Sequence, residues 1–266
     1  MNDARQLTTP EEQLVGDPPI SLGEIARFTF RALKARFRDH SAELSIIRRH
    51  IKHGDVVCDI GANKGSFVYW LSRWAGRSGR VVAFEPQADL ARRLEKICEI
   101  TGLHNVTVEA KAVCSASGLH DLYIPVRHKP GASLNRPQLP DGEIVTAGVA
   151  TVSLDDYFGD ADPISVLKVD VEGAELGVFA GAARILRNHK PLLVFECEGR
   201  HLKGGSVKEV FGYLNSLGYD GYFVLAGRLL PMQLFDPAIH QRDEGDWFWK
   251  RKDYCNNFIF STGRIR

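Results

Sequence analysis

From residue 54 onward, apolar residues alternate between two rhythms. Short continuous runs, "DVVCDIG", "GRVVAFEP", "NVTVEAKAV", "ISVLKVDVEG" and "PLLVFECE", are bounded by glycine, proline or acids. Between them lie segments with apolar residues at helical spacing, "SFVYWLSRWAG", "QADLARRLEKICEITGL" and "AELGVFAGAARILRNH". A strand that is apolar on both faces must be covered on both, so this alternation predicts a mostly parallel, doubly wound α/β sheet with helices on either side. Two later runs, "YDGYFVLAG" and "NNFIFST", are strand-like but far from any long helix, and they predict an antiparallel edge.

Residues 1–19, rich in Pro, Thr, Glu and Gln, read as a disordered tail. Residues 20–53 change character. Leu22, Ile25, Leu33, Phe37, Ile46, Ile47 and Ile51 fall near a helical period, with Arg27, Arg31, Lys34 and Arg38 on other faces. This N-terminal helical appendage is expected to dock on the main domain, residues 54–266, or on a second subunit, which would make a homodimer through these helices. A basic amphipathic segment can also meet a membrane surface, a weaker expectation here because the charge is modest.

Composition narrows the function classes. The 266 residues are 44% hydrophobic and 25% charged, ordinary for a globular protein, and 34 basic against 33 acidic residues leave a net charge of +1. That balance gives no overall attraction to nucleic acid, and no nucleic-acid partner is expected. The five cysteines form no C-x-x-C pair and mostly sit in apolar runs, so they read as reduced buried thiols of a cytoplasmic protein. Neither a secretory signal pattern nor an integral membrane segment is expected.

Ligands of doubly wound sheets bind beyond the carboxyl ends of the strands. Asp59, Glu85, Asp170, Glu172, Glu196 and Glu198 all fall at or just past such ends. In "DIGANKGSF", Gly61 and Gly65 let a turn approach a ligand closely, but the pattern is neither G-x-G-x-x-G nor a P-loop. Asp59, directly before the turn, would repel a pyrophosphate and suit an ammonium or sulfonium instead. Glu85, ending the next strand before Pro86, can accept both hydroxyls of a ribose. Together they point to S-adenosylmethionine. The competing expectations are a nicotinamide-dependent oxidoreductase on a similar sheet and a cofactor-binding homologue without catalysis.

Taken in order, "DIGANKGSF", "VVAFEP", "VSLDDYF", "VLKVDVEGAELGVFAGAARIL" and "NNFIF" resemble the FkbM family of methyltransferases over about residues 43–261. The resemblance implies a Rossmann-like class I methyltransferase fold and S-adenosylmethionine-dependent O-methylation of a sugar, glycolipid, polyketide or related small-molecule acceptor. It further implies that Asp59, Gly61, Asn63 and Gly65 line the methionine and ribose side and that Glu85 holds the ribose hydroxyls. Pro86 would turn the chain under the adenosine, and Ala110 to Val113 would wall the adenine.

Methyl transfer to an alcohol needs positioning and a group that accepts the hydroxyl proton. Asp170, counted with both the catalytic and the cofactor-binding residues, is the first candidate for that role. Glu172, Glu196 and His201 follow, and Glu175 stands where it could simply cap a helix. Clustered carboxylates would suit Mg²⁺ or Ca²⁺, or could simply pair with Lys168 or Arg200; a divalent metal is compatible with this set, and no metal site is predicted. Residues 126–145, with Arg127, His128, Lys129, Ser133 and Arg136, form an irregular segment expected to act as a lid or substrate loop.

Overall fold

Aliphatic runs too apolar to face water on either side pair side by side in this chain and draw helices over both faces. In the computed structural model, which describes residues 18–127, 129–160, 162–202, 204–245 and 247–265, they form an eight-stranded sheet. The tail expectation for residues 1–17 and the expectation for His128 lie outside the described residues. The strands are β1 (Val56–Ile60), β2 (Arg80–Phe84), β3 (Val106–Glu109), β4 (Ala112–Val113), β5 (Gly118–Pro125), β6 (Ile144–Val152), β7 (Ile164–Val169), β8 (Leu192–Glu196), β9 (Asp220–Leu225), β10 (Arg228–Pro231) and β11 (Asn257–Ser261). The helices are α1 (Leu22–Lys34), α2 (Ser41–His50), α3 (Val68–Ala75), α4 (Ala88–Ile100), α5 (Leu154–Tyr157), α6 (Glu175–Ala180), α7 (Ala183–Asn188), α8 (Val207–Ser216) and α9 (Pro237–His240).

The large sheet runs β10-β9-β11-β8-β7-β1-β2-β3. Strands β3, β2, β1, β7 and β8 are parallel, and β11 inserts antiparallel between β8 and β9. The doubly wound architecture and its antiparallel edge are therefore both present. Alternate side chains of each strand serve opposite layers. Cys58, Ile60, Val82, Phe84, Leu167 and Val169 pack against Val178, Phe179, Ile185 and Leu186 of α6 and α7 and against Val210 and Leu214 of α8. Val57, Val81, Val166 and Val194 pack against Leu44, Ile46 and Ile47 of α2 and Leu71 and Trp74 of α3. Phe28 of α1 sits with Ala83, Leu94 and Ile97, so the N-terminal helices share cores with the sheet. No helix among the described residues is long and apolar enough to cross a membrane. All five cysteines are free and buried.

Three elements depart from the sequence expectation. The run "NVTVEAKAV" is two strands, because β3 leaves the large sheet after Glu109 and β4 pairs instead with β6. Strands β5 and β6 form a long antiparallel hairpin completing a second, three-stranded sheet, where only an irregular stretch was expected. The single helix read from "AELGVFAGAARILRNH" breaks between α6 and α7. At Gly181 in the break, a Cβ would lie 2.1 Å from the Cys114 carbonyl oxygen, so the chain passes where only hydrogen fits. Replacing Gly181 by Ala should destabilise the fold by about 1–3 kcal/mol through overpacking, read as a lower urea midpoint; an unchanged midpoint would deny that contact.

Candidate functional site

The end of β1 is shaped by a backbone contact. Gly61 has φ +79°, and a Cβ there would sit 1.8 Å from the Asp170 carbonyl oxygen, so the tips of β1 and β7 touch main chain to main chain. The N–H groups of Gly61 and Ala62 both donate to the Phe84 carbonyl at 2.9 Å, carrying the turn toward β2. Glu85, 3% exposed, accepts from the Asn63 N–H at 2.8 Å with one oxygen and from the Gln87 N–H at 2.9 Å with the other. It thereby clamps the glycine turn to the start of α4. Burial raises its carboxyl above the ordinary range, opposed by those two N–H groups. Each oxygen keeps a lone pair for a further donor.

Behind the turn lies a buried charge cluster. Lys168 Nζ stands 3.4 Å from Asp59 Oδ1 and 3.4 Å from Asp170 Oδ2, donates to the Gly61 carbonyl at 3.4 Å, and lies 5.1 Å from the Phe67 ring centre. Burial works against the ammonium, but the two carboxylates outweigh it and raise the Lys168 pKa, so this lysine stays charged. Asp59 is 1% exposed and meets that charge without a directed hydrogen bond to either oxygen. Burial pushes its carboxyl up, with Lys168 pulling the other way.

Beyond β7 the chain turns sharply. Glu172 adopts φ +52°, uncommon for a residue with a side chain, and pairs with His201 Nδ1 at 2.6 Å. Burial alone would lower the His201 pKa, yet Glu172 and then Glu198 raise it and favour the charged ring. Glu175, 1% exposed, accepts from the Gly173 N–H at 2.8 Å, while its other oxygen has no hydrogen-bond partner. Burial brings its pKa up to about 7. Glu196 accepts from Asn256 Nδ2 at 2.6 Å, and burial, with the nearby carboxylates adding, raises its carboxyl well above the usual range. Burial would also raise Glu198, but Arg200, bonded at 2.6 and 3.0 Å, and the Tyr254 hydroxyl at 2.5 Å hold it below its ordinary value.

These tips border an open crevice with a polar and an apolar side. Gly61, Asn63, Glu85, Pro86, Asp170 and Glu172 line its polar side, and Phe84, Val113, Leu122 and Leu134 its apolar side. Asp59 and Gly65 do not line it: Asp59 is sealed beneath Lys168, and Gly65 is buried against Leu94 and Phe28. Ala110 is exposed at the gap between β3 and β4, and Lys111, Ala112 and Val113 face the crevice in its place. The hairpin tip covers the opening, with Pro130, Ala132, Ser133 and Leu134 in the wall. Ser133 Oγ donates to the Glu172 carbonyl at 2.7 Å, and Asn135 Nδ2 to the Gly173 carbonyl at 2.6 Å.

A narrow second pocket opens on the other side of Asp170, lined by His40, Phe67, Lys168, Asp170, Glu196 and Asn257 among others. Asp170 is common to both spaces. Of the four proposed catalytic residues, Asp170 and Glu172 reach the crevice and Glu196 the second pocket, whereas His201 stands behind Glu172 and lines neither. His40, Phe67 and Asn257 were not legible as site residues. His40 lies in the appendage, outside every quoted motif, and only its proximity to Phe67, at 5.2 Å between ring centres, brings it to the site. Among the described residues no group of three or more His, Cys, Asp or Glu is arranged to hold a metal ion.

A parallel doubly wound sheet with β11 inserted antiparallel between β8 and β9, and an acid-lined crevice at the strand tips, defines a class I methyltransferase architecture. The family model described as "Methyltransferase FkbM domain" matches residues 59–220, and the chain belongs to that family. Among solved structures, the chain is similar to methyltransferase FkbM from Methylobacillus flagellatus, at 14% identity and TM-score 0.49, covering 91% of this chain and 56% of that one. It is also similar to a SAM-dependent O-methyltransferase from Thermotoga maritima (15%, TM-score 0.42, 85% and 66%) and a SAM-dependent methyltransferase from Aquifex aeolicus (14%, TM-score 0.44, 89% and 97%). The chain thus spans little more than half the length of the M. flagellatus structure. No curated protein matches it.

Glu175 makes a measurable pH signature. A carboxyl whose folded pKa is raised binds its proton more tightly in the native state, so its contribution is present below about 4.5 and lost as pH rises toward about 7. Glu175→Gln keeps an oxygen for the Gly173 N–H and removes that loss. The variant should match the parent near pH 4 and exceed it above pH 7 by up to about 3 kcal/mol, measured by urea unfolding at both pH values; an equal difference at both would exclude Glu175 as the cause.

Proposed function

We propose that this protein methylates a hydroxyl of a small-molecule acceptor, a sugar, glycolipid, polyketide or similar compound, with S-adenosylmethionine as donor. The observation that carries the reading is Asp170, the carboxylate shared by the acid-lined crevice and the narrow pocket beside it. The crevice fits the donor chemically: Glu85 has lone pairs left for a ribose diol, the acids at the strand tips favour a cationic ligand, and the apolar side offers an adenine slot. When bound there, S-adenosylmethionine would supply an electrophilic methyl group on a sulfonium. Gly61, Asn63, Glu85, Pro86 and Asp170 would hold it, with Lys111 to Val113 beside the base.

The second pocket would receive the acceptor hydroxyl. Asp170 orients that hydroxyl and takes up its proton; its charge is supported but not consumed by Lys168, which is shared with Asp59. Glu196, biased toward its protonated form, donates a hydrogen bond to a neighbouring acceptor oxygen. Glu172 is committed to His201, so this pair positions the wall of the crevice and does not act as the free base. Free buried thiols agree with a cytosolic setting.

Calorimetry should give micromolar binding of S-adenosylmethionine or its demethylated product and none of NADH; the reverse preference would sink the proposal. Glu85→Gln should weaken that binding by about tenfold or more through lost charge-assisted hydrogen bonds. Asp170→Asn should lower methyl transfer, scanned across hydroxylated acceptors, by about 100-fold or more, with its melting temperature nearly unchanged. Wild-type-like turnover of this variant would remove Asp170 from the chemistry.

A further inference from the structure

Helix α1 carries two apolar faces, and the fold uses one. Phe28 and Ala32, with Ala35 in the π-helical turn of residues Ala35–Asp39 that follows, point inward and are buried. On the outer side Leu22, Ala26, Phe30, Leu33 and Phe37 recur at steps of four, four, three and four, one continuous stripe along the helix. Leu22 is 85% exposed, Phe30 66%, Leu33 41% and Phe37 70%. Single exposed apolar residues need no explanation, but an aligned row of them on one helix marks a contact surface.

Charge says what the row meets. Arg27 and Arg38 are exposed along it, Arg36 lies 5.6 Å over the Phe37 ring, and the neighbouring α3 adds Arg73, 4.6 Å over Tyr69. Trp70 of α3 packs edge-on against Phe37 at 6.2 Å and donates its indole N–H to the Ala32 carbonyl at 2.7 Å, which fixes an aromatic border beside the stripe. The acids of this segment are already occupied: Glu24 is bonded by Arg93, Asp39 is paired with Lys34 at 3.2 Å and Arg38 at 2.8 Å, and Glu43 is buried. The face therefore presents aromatic and aliphatic side chains bordered by arginines.

We propose that this face docks on an anionic phospholipid surface. Leu22, Phe30, Leu33 and Phe37 enter the boundary between headgroups and acyl chains, and the exposed Arg27 and Arg73 meet the lipid phosphates, while Arg36 holds Ser45 and Arg38 holds Asp39. A second copy of this chain fits the same face less well, because two-fold pairing brings arginine-bordered stripes together with no unpaired acid of the segment between them. The docking does not depend on methyl transfer. It has a consequence for it all the same, since the docked segment ends at His40 in the wall of the second pocket, placing that pocket beside the lipid surface.

The test is cosedimentation of the full chain with vesicles of equal parts phosphatidylglycerol and phosphatidylcholine, against phosphatidylcholine alone, at about 0.1 M salt. Binding should require the anionic lipid, and Phe30→Glu with Phe37→Glu should reduce it by at least about tenfold while leaving the melting temperature unchanged. Raising the salt to about 0.5 M should weaken it as well. Absence of binding to the anionic vesicles, equal binding by the double variant, or a dimer in light scattering that the double variant abolishes would overturn the proposal.

Discussion

The ammonium of Lys168 is the charge around which the strand tips are arranged. It is buried between Asp59 on β1 and Asp170 past β7, touches the Gly61 carbonyl, and rests near the Phe67 ring. One cation thus stands between two carboxylates that would otherwise repel each other, Asp59 out of water and Asp170 partly exposed. Removing the lysine would leave the buried Asp59 carboxylate unpaired, a loss that typically costs about 3–5 kcal/mol, whereas losing the partly exposed Asp170 leaves the Lys168–Asp59 pair in place. The same contact holds the two strand ends at the separation that makes both the crevice and the pocket beside it. Stability and site geometry rest on one interaction.

Around that cluster the carboxylates divide by environment. Glu85 is bound up with backbone N–H groups, Glu172 with His201, Glu198 with Arg200 and Tyr254, while Glu175 and Glu196 are pushed toward neutrality by burial. Asp170 differs from these in facing both open spaces, with its side chain 36% exposed. A row of acids that looks uniform along the chain becomes a set of distinct roles once each has partners. The left-handed backbone at Glu172 belongs to this division, for it brings the Glu172 carboxylate to His201 and its carbonyl to Ser133. Backbone strain of this kind persists where surrounding contacts hold it in place.

The N-terminal helices show how one sequence pattern can serve two surfaces. Their inner residues complete the cores under β1 and β2, and their outer residues remain in water beside arginines. The π-helical turn after α1 redirects the chain so that His40 reaches the pocket at Asp170. An element lying outside the family match consequently forms part of the site wall.

The sequence by itself determined the sheet, its antiparallel edge and the position of the acids at strand ends, because burial on both faces leaves an uninterrupted apolar run and chemistry collects where such runs stop. It also determined the crevice residues Gly61, Asn63, Glu85 and Asp170, which sit in short motifs of fixed spacing. Tertiary structure alone decided that Asp59 is sealed under Lys168, that Ala110 turns outward, that residues 118–152 fold into a hairpin over the crevice, and that His40, Phe67 and Asn257 meet at Asp170. Those facts depend on pairings between residues far apart in the chain, such as Ser133 with Glu172 or His40 with Phe67. Local periodicity carries no record of such distant partners; only packing chooses them.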